Sequence, residues 1–534
     1  MKFEPDHFRS SWMARYRELA DLMYTVRSTL RSRSVLAVST LNPRHPISED
    51  HRRMVRELQT QGHLTSPSLL RLAVQAVLFG CLVLLEAGAL FYLRLHFRKE
   101  LVRDQDAPAD LVMKGYAFRP VEPDDGNDFY YGTLFDDLEE RGVRCVRLIG
   151  DARGGIDVEF TRAAFACRRI RTLPELVWVS PRVVIEEGVR LLGTAVQLIA
   201  MGRARERLMS DFCRVAAAGS LRRHPLRSAL AYHVARAVVK KLRPKVFLTL
   251  FEGQPWEIVM RHGVKDEHPP CRTAGYQHTV VMPHALSLIR PNTGSWERSV
   301  PEWVLCTGER TRDMMLEGHA PHLNRFVVLG SYRHDGSHSV ADGPAPARRT
   351  VLVLPEGVLE EACLLFGFAM RAARLVPDHT FIFRCHPRVP YERVSRAMRQ
   401  RPDRQSNIRV SDRASIADDF ARASSVLYRG TSSAFYAVLK GLKLFYLHDA
   451  SHPDVDPLFE LSAWRETVSA PEELKVRLNA LASDPREMLE RPWNEACDYV
   501  RGYTRPVSAE TLERFLFEAG LNQGEPLRAG TSPI

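Results

Sequence analysis

Several short segments group acids, histidines, hydroxyls and glycines in patterns that suit chemistry. Cys385-His386-Pro387-Arg388 closes the apolar run FIFRC. Pro387 ends that run and biases the residue before it toward an extended backbone. An imidazole leaving a strand end donates to a phosphate or ribose oxygen; a plain surface histidine is the alternative. Tyr428-Arg429-Gly430-Thr431-Ser432-Ser433 lies between a β-rich run and a helical stretch. Gly430 permits a tight turn, and backbone N–H groups at a helix start attract anions. Thr431, Ser432 and Ser433 add hydroxyl donors and Arg429 adds charge. Ordinary capping accounts for one hydroxyl but not for the whole run.

Two further segments carry acid–base groups. In Phe251-Glu252-Gly253-Gln254-Pro255-Trp256-Glu257, Glu252 follows the run KVFLTL and is the candidate general base for an acceptor hydroxyl. Glu257 better fits a first-turn acid that complements a helix dipole. Gln254 and Trp256 are candidates for acceptor contact. Gly275-Tyr276-Gln277-His278-Thr279 ends another apolar run. Gln277 is a candidate for acceptor or donor contact, and His278 is a second catalytic candidate; a loop histidine is the alternative. Leu354-Pro355-Glu356-Gly357 places Glu356 after the first strand of the later half, where it would floor a cleft.

The elements that must position these segments alternate. Apolar β-rich runs at 111–117, 143–149, 245–250, 272–277, 303–307 and 326–330 are separated by helical stretches, including one from 183 to 240. After Gly- and Pro-rich residues 333–349 the alternation restarts. Strands are expected at 350–354, 380–385, 407–410, 425–428 and 443–447, and helices at 359–375, 391–401, 416–423 and 432–439. Continuous apolar strands between helices mean parallel sheets covered on both faces. The fold class is therefore α/β, with two Rossmann-like domains facing a cleft. The expected division is a helical basic extension (1–105), a first Rossmann-like domain with a helical insertion (106–332), a linker (333–349), a second Rossmann-like domain (350–505) and a helix with a disordered tail (506–534).

With 534 residues, 45% hydrophobic and 26% charged, the chain is neither fibrous nor globally disordered. Nine scattered cysteines without a CxxC pair exclude a disulfide scaffold and read as reduced thiols in a cytosolic compartment. The net charge of +11 suits a phosphorylated substrate or a membrane surface. Acids interrupt the basic residues, so no nucleic acid is expected. Lys2, Glu4, Asp6 and Arg9 exclude a signal peptide at the start. Residues 72–93, LAVQAVLFGCLVLLEAGALFYL, are long enough to span a bilayer, with Gln75 and Glu86 as the strongly polar members. Three alternatives are a membrane-inserted helix or re-entrant hairpin, a helix lying in the interface, and a core helix. Residues 183–201 form an amphipathic stretch that reads as an ordinary packed helix, with a helix lying on the same membrane surface as the alternative.

The His-Pro after a strand, the Ser-Ser helix start followed by AFYAVLKGLKLFYL, and the segments FEGQPWE, GYQHT and LGSYR resemble GT-B glycosyltransferases of bacterial surface-carbohydrate (capsule or O-antigen) biosynthesis. The HP and SS pair is similar to bacterial sialyltransferases, polysialyltransferases and Kdo transferases. That resemblance implies CMP-donor contacts from His386, Pro387, Ser432 and Ser433, with Glu356, Arg429, Gly430 and Thr431 beside them. It implies Glu252 as the base, although Phe251 stands where a second acid often occurs. It covers residues 110–480. The implied partners are a nucleotide-sugar donor, a glycan or lipid-linked acceptor and a membrane surface, at the cytoplasmic face of the inner membrane. No DxD-like acid spacing lies near the strand ends, so neither metal nor cofactor is expected, and transfer would be inverting. A CDP-glycerol or CDP-ribitol phosphotransferase, or an inactive glycan-binding scaffold, is the alternative.

Overall fold

Strands covered by helices on both faces are mostly apolar, as the runs VFLTL, TVLVLP and KLFYL are. In the computed structural model, which describes residues 11–521 apart from 31, 45–46, 104–107, 118–127, 153, 204, 290–299, 317–324, 333–338, 347, 451 and 484, two all-parallel sheets form. The chain divides into two units, one of residues 1–278, 283–333 and 507–534, the other of residues 279–282 and 334–506.

The first unit holds β1 (Leu111–Ala117), β2 (Cys145–Asp151), β3 (Thr172–Pro174), β4 (Val246–Leu250), β5 (Arg272–Tyr276), β6 (Trp303–Cys306) and β7 (Arg325–Val328). Their order across the sheet is β3-β2-β1-β4-β5-β6-β7. The second unit holds β8 (Thr350–Pro355), β9 (Thr380–Phe383), β10 (Ile408–Val410), β11 (Ser425–Arg429), β12 (Lys443–Leu447) and β13 (Arg465–Val468), in the order β10-β9-β8-β11-β12-β13. Each sheet grows outward on one side of its first strand and then crosses to the other side. This is the doubly wound arrangement of a Rossmann-like domain, and its crevice for ligands lies beyond the carboxyl ends of the two strands at the reversal. The reversal falls between β1 and β4 in the first unit, and between β8 and β11 in the second. The α/β class expected from the sequence, with two parallel-sheet Rossmann-like units, is what the chain adopts.

The core of the second unit is built from Val351, Val353, Phe366, Phe381, Phe383, Leu427 and Phe445, all fully buried. Phe366, on the Leu359–Leu375 helix, meets Phe383 of β9 with ring centroids 4.4 Å apart.

The helices before residue 105 differ from expectation. They do not stand apart as an extension. Tyr16, Leu19, Met23 and Val26 of the Ser11–Leu30 helix, with Val35 and Leu36, are wholly buried in the same core as β1, β4 and β5. These helices look polar because an amphipathic helix needs only one apolar stripe to join a core. The 183–240 stretch resolves into three helices, Pro181–Arg203, Arg207–Ser220 and Arg223–Leu242, on the same unit. Residues 72–93 belong to one unbroken helix, Leu69–His96, which excludes a re-entrant hairpin. At the other end, the Ala509–Glu518 helix also belongs to the first unit, where Thr511 donates to the Leu329 carbonyl at 2.7 Å. The tail after 521 and part of the 333–349 linker lie outside the described residues.

Candidate functional site

In the first unit, β4 delivers Phe251 and Glu252 to the reversal point, and the Pro255–Glu267 helix follows at once. Gly253 makes this turn, with φ +75° and so little space that a Cβ there would lie 2.1 Å from Ser287 Cβ. Only glycine fits both demands. Glu257, buried in the first turn of the helix, accepts from the Glu252 N–H at 3.1 Å and from the Gly253 N–H at 3.0 Å. It ties down the helix start, as its position suggests. Burial pushes its carboxyl up to about 8 against the pull of Arg261.

Glu252 is half-buried and held on both oxygens. Its Oε1 lies 3.1 Å from His278 Nε2 at the end of β5, and its Oε2 accepts from Gln254 Nε2 at 3.2 Å. Tyr130 packs edge-on to the His278 ring at 4.8 Å. The two residues predicted as acid–base candidates from separate segments are thus in contact just beyond the ends of adjacent strands, β4 and β5. Trp256 packs edge-on to Tyr116, the penultimate residue of β1, at 5.2 Å. Residues from β1, β4 and β5 therefore converge at one sheet edge.

Gln277 does not open to this edge. It is fully buried, and its Oε1 accepts from the Thr307 N–H at 3.1 Å and the Thr307 hydroxyl at 3.3 Å, stapling β5 to the end of β6. Gln277, expected from the sequence to contact an acceptor, turns its Oε1 to Thr307 inside the sheet.

Two groups here escaped sequence reasoning. Lys114 is fully buried within β1, 3.2 Å from Glu175, with Nζ 3.5 Å from the Tyr116 ring centroid and 4.9 Å from that of Trp256. Burial lowers its pKa while Glu175 opposes the shift. An isolated lysine inside an apolar strand carries no local signal, and Glu175 comes sixty residues later.

In the second unit, three predicted segments meet at the carboxyl ends of adjacent strands β9, β8 and β11. Glu356 follows β8, Cys385-His386-Pro387 follows β9, and Gly430–Ser433 follows β11. Contact is close enough to exclude side chains at both glycines. A Cβ on Gly357 would lie 2.8 Å from His386 Nδ1, and one on Gly430, whose φ is +70°, would lie 2.7 Å from Glu356 Cδ. The Arg388 N–H donates to His386 Nδ1 at 3.2 Å. That bond needs an unprotonated Nδ1, which in the neutral imidazole places the proton on Nε2. Pro387 and Arg388 are exposed, His386 is half-buried, and Glu356 is buried.

The Ser433–Leu439 helix starts differently from expectation. Ser432 has helical dihedrals and makes no side-chain cap bond. Thr431 takes that role, its hydroxyl accepting from the Ser433 N–H at 3.2 Å. The capping alternative is thus met by Thr431.

Arg429 is also corrected. Its guanidinium runs away from the glycine turn into the core, where it is fully buried. It pairs with Glu361, donates to the carbonyls of Leu447 (2.8 Å) and Pro453, and reaches the Tyr446 hydroxyl at 3.2 Å. Tyr428 beside it donates to Asp456 at 2.7 Å, and Asp456 pairs with Arg465. A buried arginine whose donors are this fully engaged cannot also neutralise a phosphate. It braces the 447–456 loop beneath the turn.

No protein-family model matches the sequence, and no curated protein matches it. Among solved structures, the chain is similar to the glycotransferase of kitacinnamycin, with a TM-score of 0.45 and 14% identity over 78% of this chain and 100% of that one. It is also similar to MnaA of S. aureus with UDP, with a TM-score of 0.45 and 11% identity over 78% and 99% of the two chains. A third similar structure is the UDP-GlcNAc 2-epimerase of Methanocaldococcus jannaschii, with a TM-score of 0.42 and 11% identity over 76% and 99%. At these values no substrate and no residue role transfers.

Proposed function

We propose that the protein is a glycosyltransferase that moves a sugar from a nucleotide-activated donor to a glycan or lipid-linked acceptor during bacterial surface polysaccharide synthesis. One observation carries this reading. Glu356 and Gly430–Ser433 flank the reversal of the second sheet, with His386 on the next strand, while Glu252 follows the strand at the reversal of the first.

The second unit would hold the nucleotide. The Glu356 carboxylate accepts from ribose hydroxyls, a role its negative charge suits better than phosphate contact. The His386 Nε2–H and the hydroxyls of Ser432 and Ser433 donate to the phosphate. The first unit would hold the acceptor, with Trp256 and Gln254 beside it. Glu252 takes the proton of the acceptor hydroxyl, and that oxygen forms a bond to the anomeric carbon. The bond from this carbon to the donor phosphate oxygen breaks, and its electron pair leaves with the nucleotide. Attack opposite the leaving group inverts the anomeric centre. His278 and Gln254 hold the Glu252 carboxylate in place, and donors aimed at the leaving phosphate lower the barrier. No step in this scheme requires a metal ion. CMP is the nucleotide of choice on the HP and SS resemblance.

A thermal-shift screen with CMP, CDP, UDP and GDP tests the reading. A ligand at a hundred times its Kd stabilises by about 2.7 kcal/mol. Product mass then separates sugar transfer from transfer of a glycerol or ribitol phosphate, and a protein that binds no nucleotide would be a scaffold.

A further inference from the structure

The long apolar helix, Leu69–His96, is apolar on both faces. Leu72, Phe79, Val83, Leu90 and Leu93 pack into the first unit's core, and three of its polar side chains turn inward with them. Gln75 donates to the carbonyls of Ala218 (2.8 Å) and Leu221 (3.3 Å). Glu86 is buried and pairs with Arg223 at 2.5 Å and with Arg227. Arg94 donates to the Val177 carbonyl at 2.6 Å. Gly188 of the Pro181–Arg203 helix lets Val83 approach so closely that a Cβ there would lie 2.7 Å from it.

The opposite face is exposed at 70, 74, 77, 78, 81, 84, 85, 88, 91, 92 and 95, a helical period without a single charged residue. Of the 18 large hydrophobic side chains exposed among the described residues, ten lie on this helix and three more, Ile185, Val189 and Val196, on the neighbouring Pro181–Arg203 helix. Leu70 is 76% exposed and Leu85 is 72% exposed, so the face is not a core seam. The stripe is about 38 Å long at 1.5 Å per residue. Contiguous patches of that extent on soluble monomers mark interaction sites.

Charge names the occupant. Exposed Arg71 stands at one end of the stripe, and exposed Arg98 and Lys99 stand past the other. Phe91 and Leu95, in the last turns of the stripe, form one wall of a cavity of about 590 Å³ whose other walls include Arg94, Arg98, Trp178 and Lys241. Lys241 Nζ sits 4.3 Å from the Trp178 ring centroid. A cavity that is apolar on its stripe side and cationic within matches a lipid with an anionic headgroup. A second copy of the chain fits poorly: pairing two stripes in either direction sets arginine ends against arginine ends.

We propose that this helix lies lengthwise in one leaflet of an anionic bilayer, without crossing it, and that the cavity at its carboxyl end takes a phosphate-bearing lipid headgroup. A crossing helix would have to break the anchors at Gln75, Glu86 and Arg94, which are spread along its length. The inference stands apart from the glycosyltransferase reading, because it uses none of the strand-end residues.

The test uses the full chain with a polarity-sensitive dye on Cys81, the one exposed cysteine of the nine and a member of the stripe. Phosphatidylcholine vesicles containing phosphatidylglycerol should raise and blue-shift the emission, and a quencher carried on the acyl chains should reduce it. Leu85→Glu should weaken vesicle binding on the order of tenfold or more at unchanged melting temperature, since the side chain makes few contacts in the fold. Arg98→Ala should lose about fivefold on anionic vesicles and nothing on neutral ones. Unaltered emission with anionic vesicles overturns the proposal. Equal binding to neutral and anionic vesicles overturns the headgroup site. A lipid-free dimer that Leu85→Glu converts to monomer assigns the face to a second copy instead.

Discussion

The two sheets reverse in the same way but furnish their reversal points with opposite chemistry. At the first, Glu252, His278 and buried Glu257 crowd acid–base groups around one turn. At the second, glycines, hydroxyls and one imidazole N–H surround Glu356, and the strong charges of Arg429, Glu361, Asp456 and Arg465 are withdrawn into the core as pairs. Under the proposed function, the first edge would move a proton and the second would hold a charged, hydroxyl-rich ligand. A doubly wound sheet fixes where a site lies and leaves open what it does, so the same architecture serves two tasks.

The sharpest way to break this contrast is at Glu252. Glu252→Gln keeps the shape and the Gln254 contact but removes the base. Turnover should fall by about 10²–10⁴-fold, with nucleotide affinity unchanged in a parallel titration. Loss of affinity with turnover intact would reverse the assignment of the two edges.

Arg429→Met probes what lies beneath the second edge. It leaves Glu361 buried without its partner, which costs about 3–5 kcal/mol. Denaturant unfolding should show that loss, and Arg429→Met/Glu361→Leu should recover most of it. If the single variant is as stable as wild type but cannot bind nucleotide, the arginine belongs to the ligand after all.

His386→Ala should have a smaller effect, confined to binding. A hydrogen bond to a charged group is worth about 1.5–3 kcal/mol, or roughly ten- to a hundredfold in Kd. Ser432→Ala should act on the same ligand, so a double-mutant cycle should show coupling between the two.

The mildest test concerns pH. The folded state holds the Glu257 proton up to about pH 8, whereas the unfolded chain releases it near 4.5. The folded protein therefore binds more protons between these values, and this group's contribution to stability declines as pH rises from about 4.5 to about 8. Arg261, Glu252 and Lys114 are the charged groups that act on or around it. Melting temperatures across that range should fall less steeply in Glu257→Gln than in wild type.

What the sequence shows and hides follows from whether the information is local. The run TVLVLP, the helix 359–375 and the strand KLFYL read directly, because a buried parallel strand is apolar along its whole length and a covering helix has a regular stripe. The short edge strands β3 and β13 do not, since Thr172–Pro174 and Arg465–Val468 owe their conformation to the neighbour they pair with. The placement of Glu252, His278, His386 and Gly430–Ser433 at strand ends was legible for the same reason as the strands. The direction of Arg429 was not: its partner Glu361 lies 68 residues away, and nothing beside it in the chain tells a ligand-binding arginine from a core one. Nor was the joining of residues 11–58 to the first core, because an apolar stripe does not name the surface it covers.

Nucleotide binding at the edge formed by β8, β9 and β11 is open to isothermal titration of wild type and His386→Ala with CMP, CDP, UDP and GDP. At least one nucleotide should bind wild type, and His386→Ala should weaken that binding by roughly ten- to a hundredfold without lowering the melting temperature. Binding of no nucleotide at all, or equal affinity in both proteins, would contradict it.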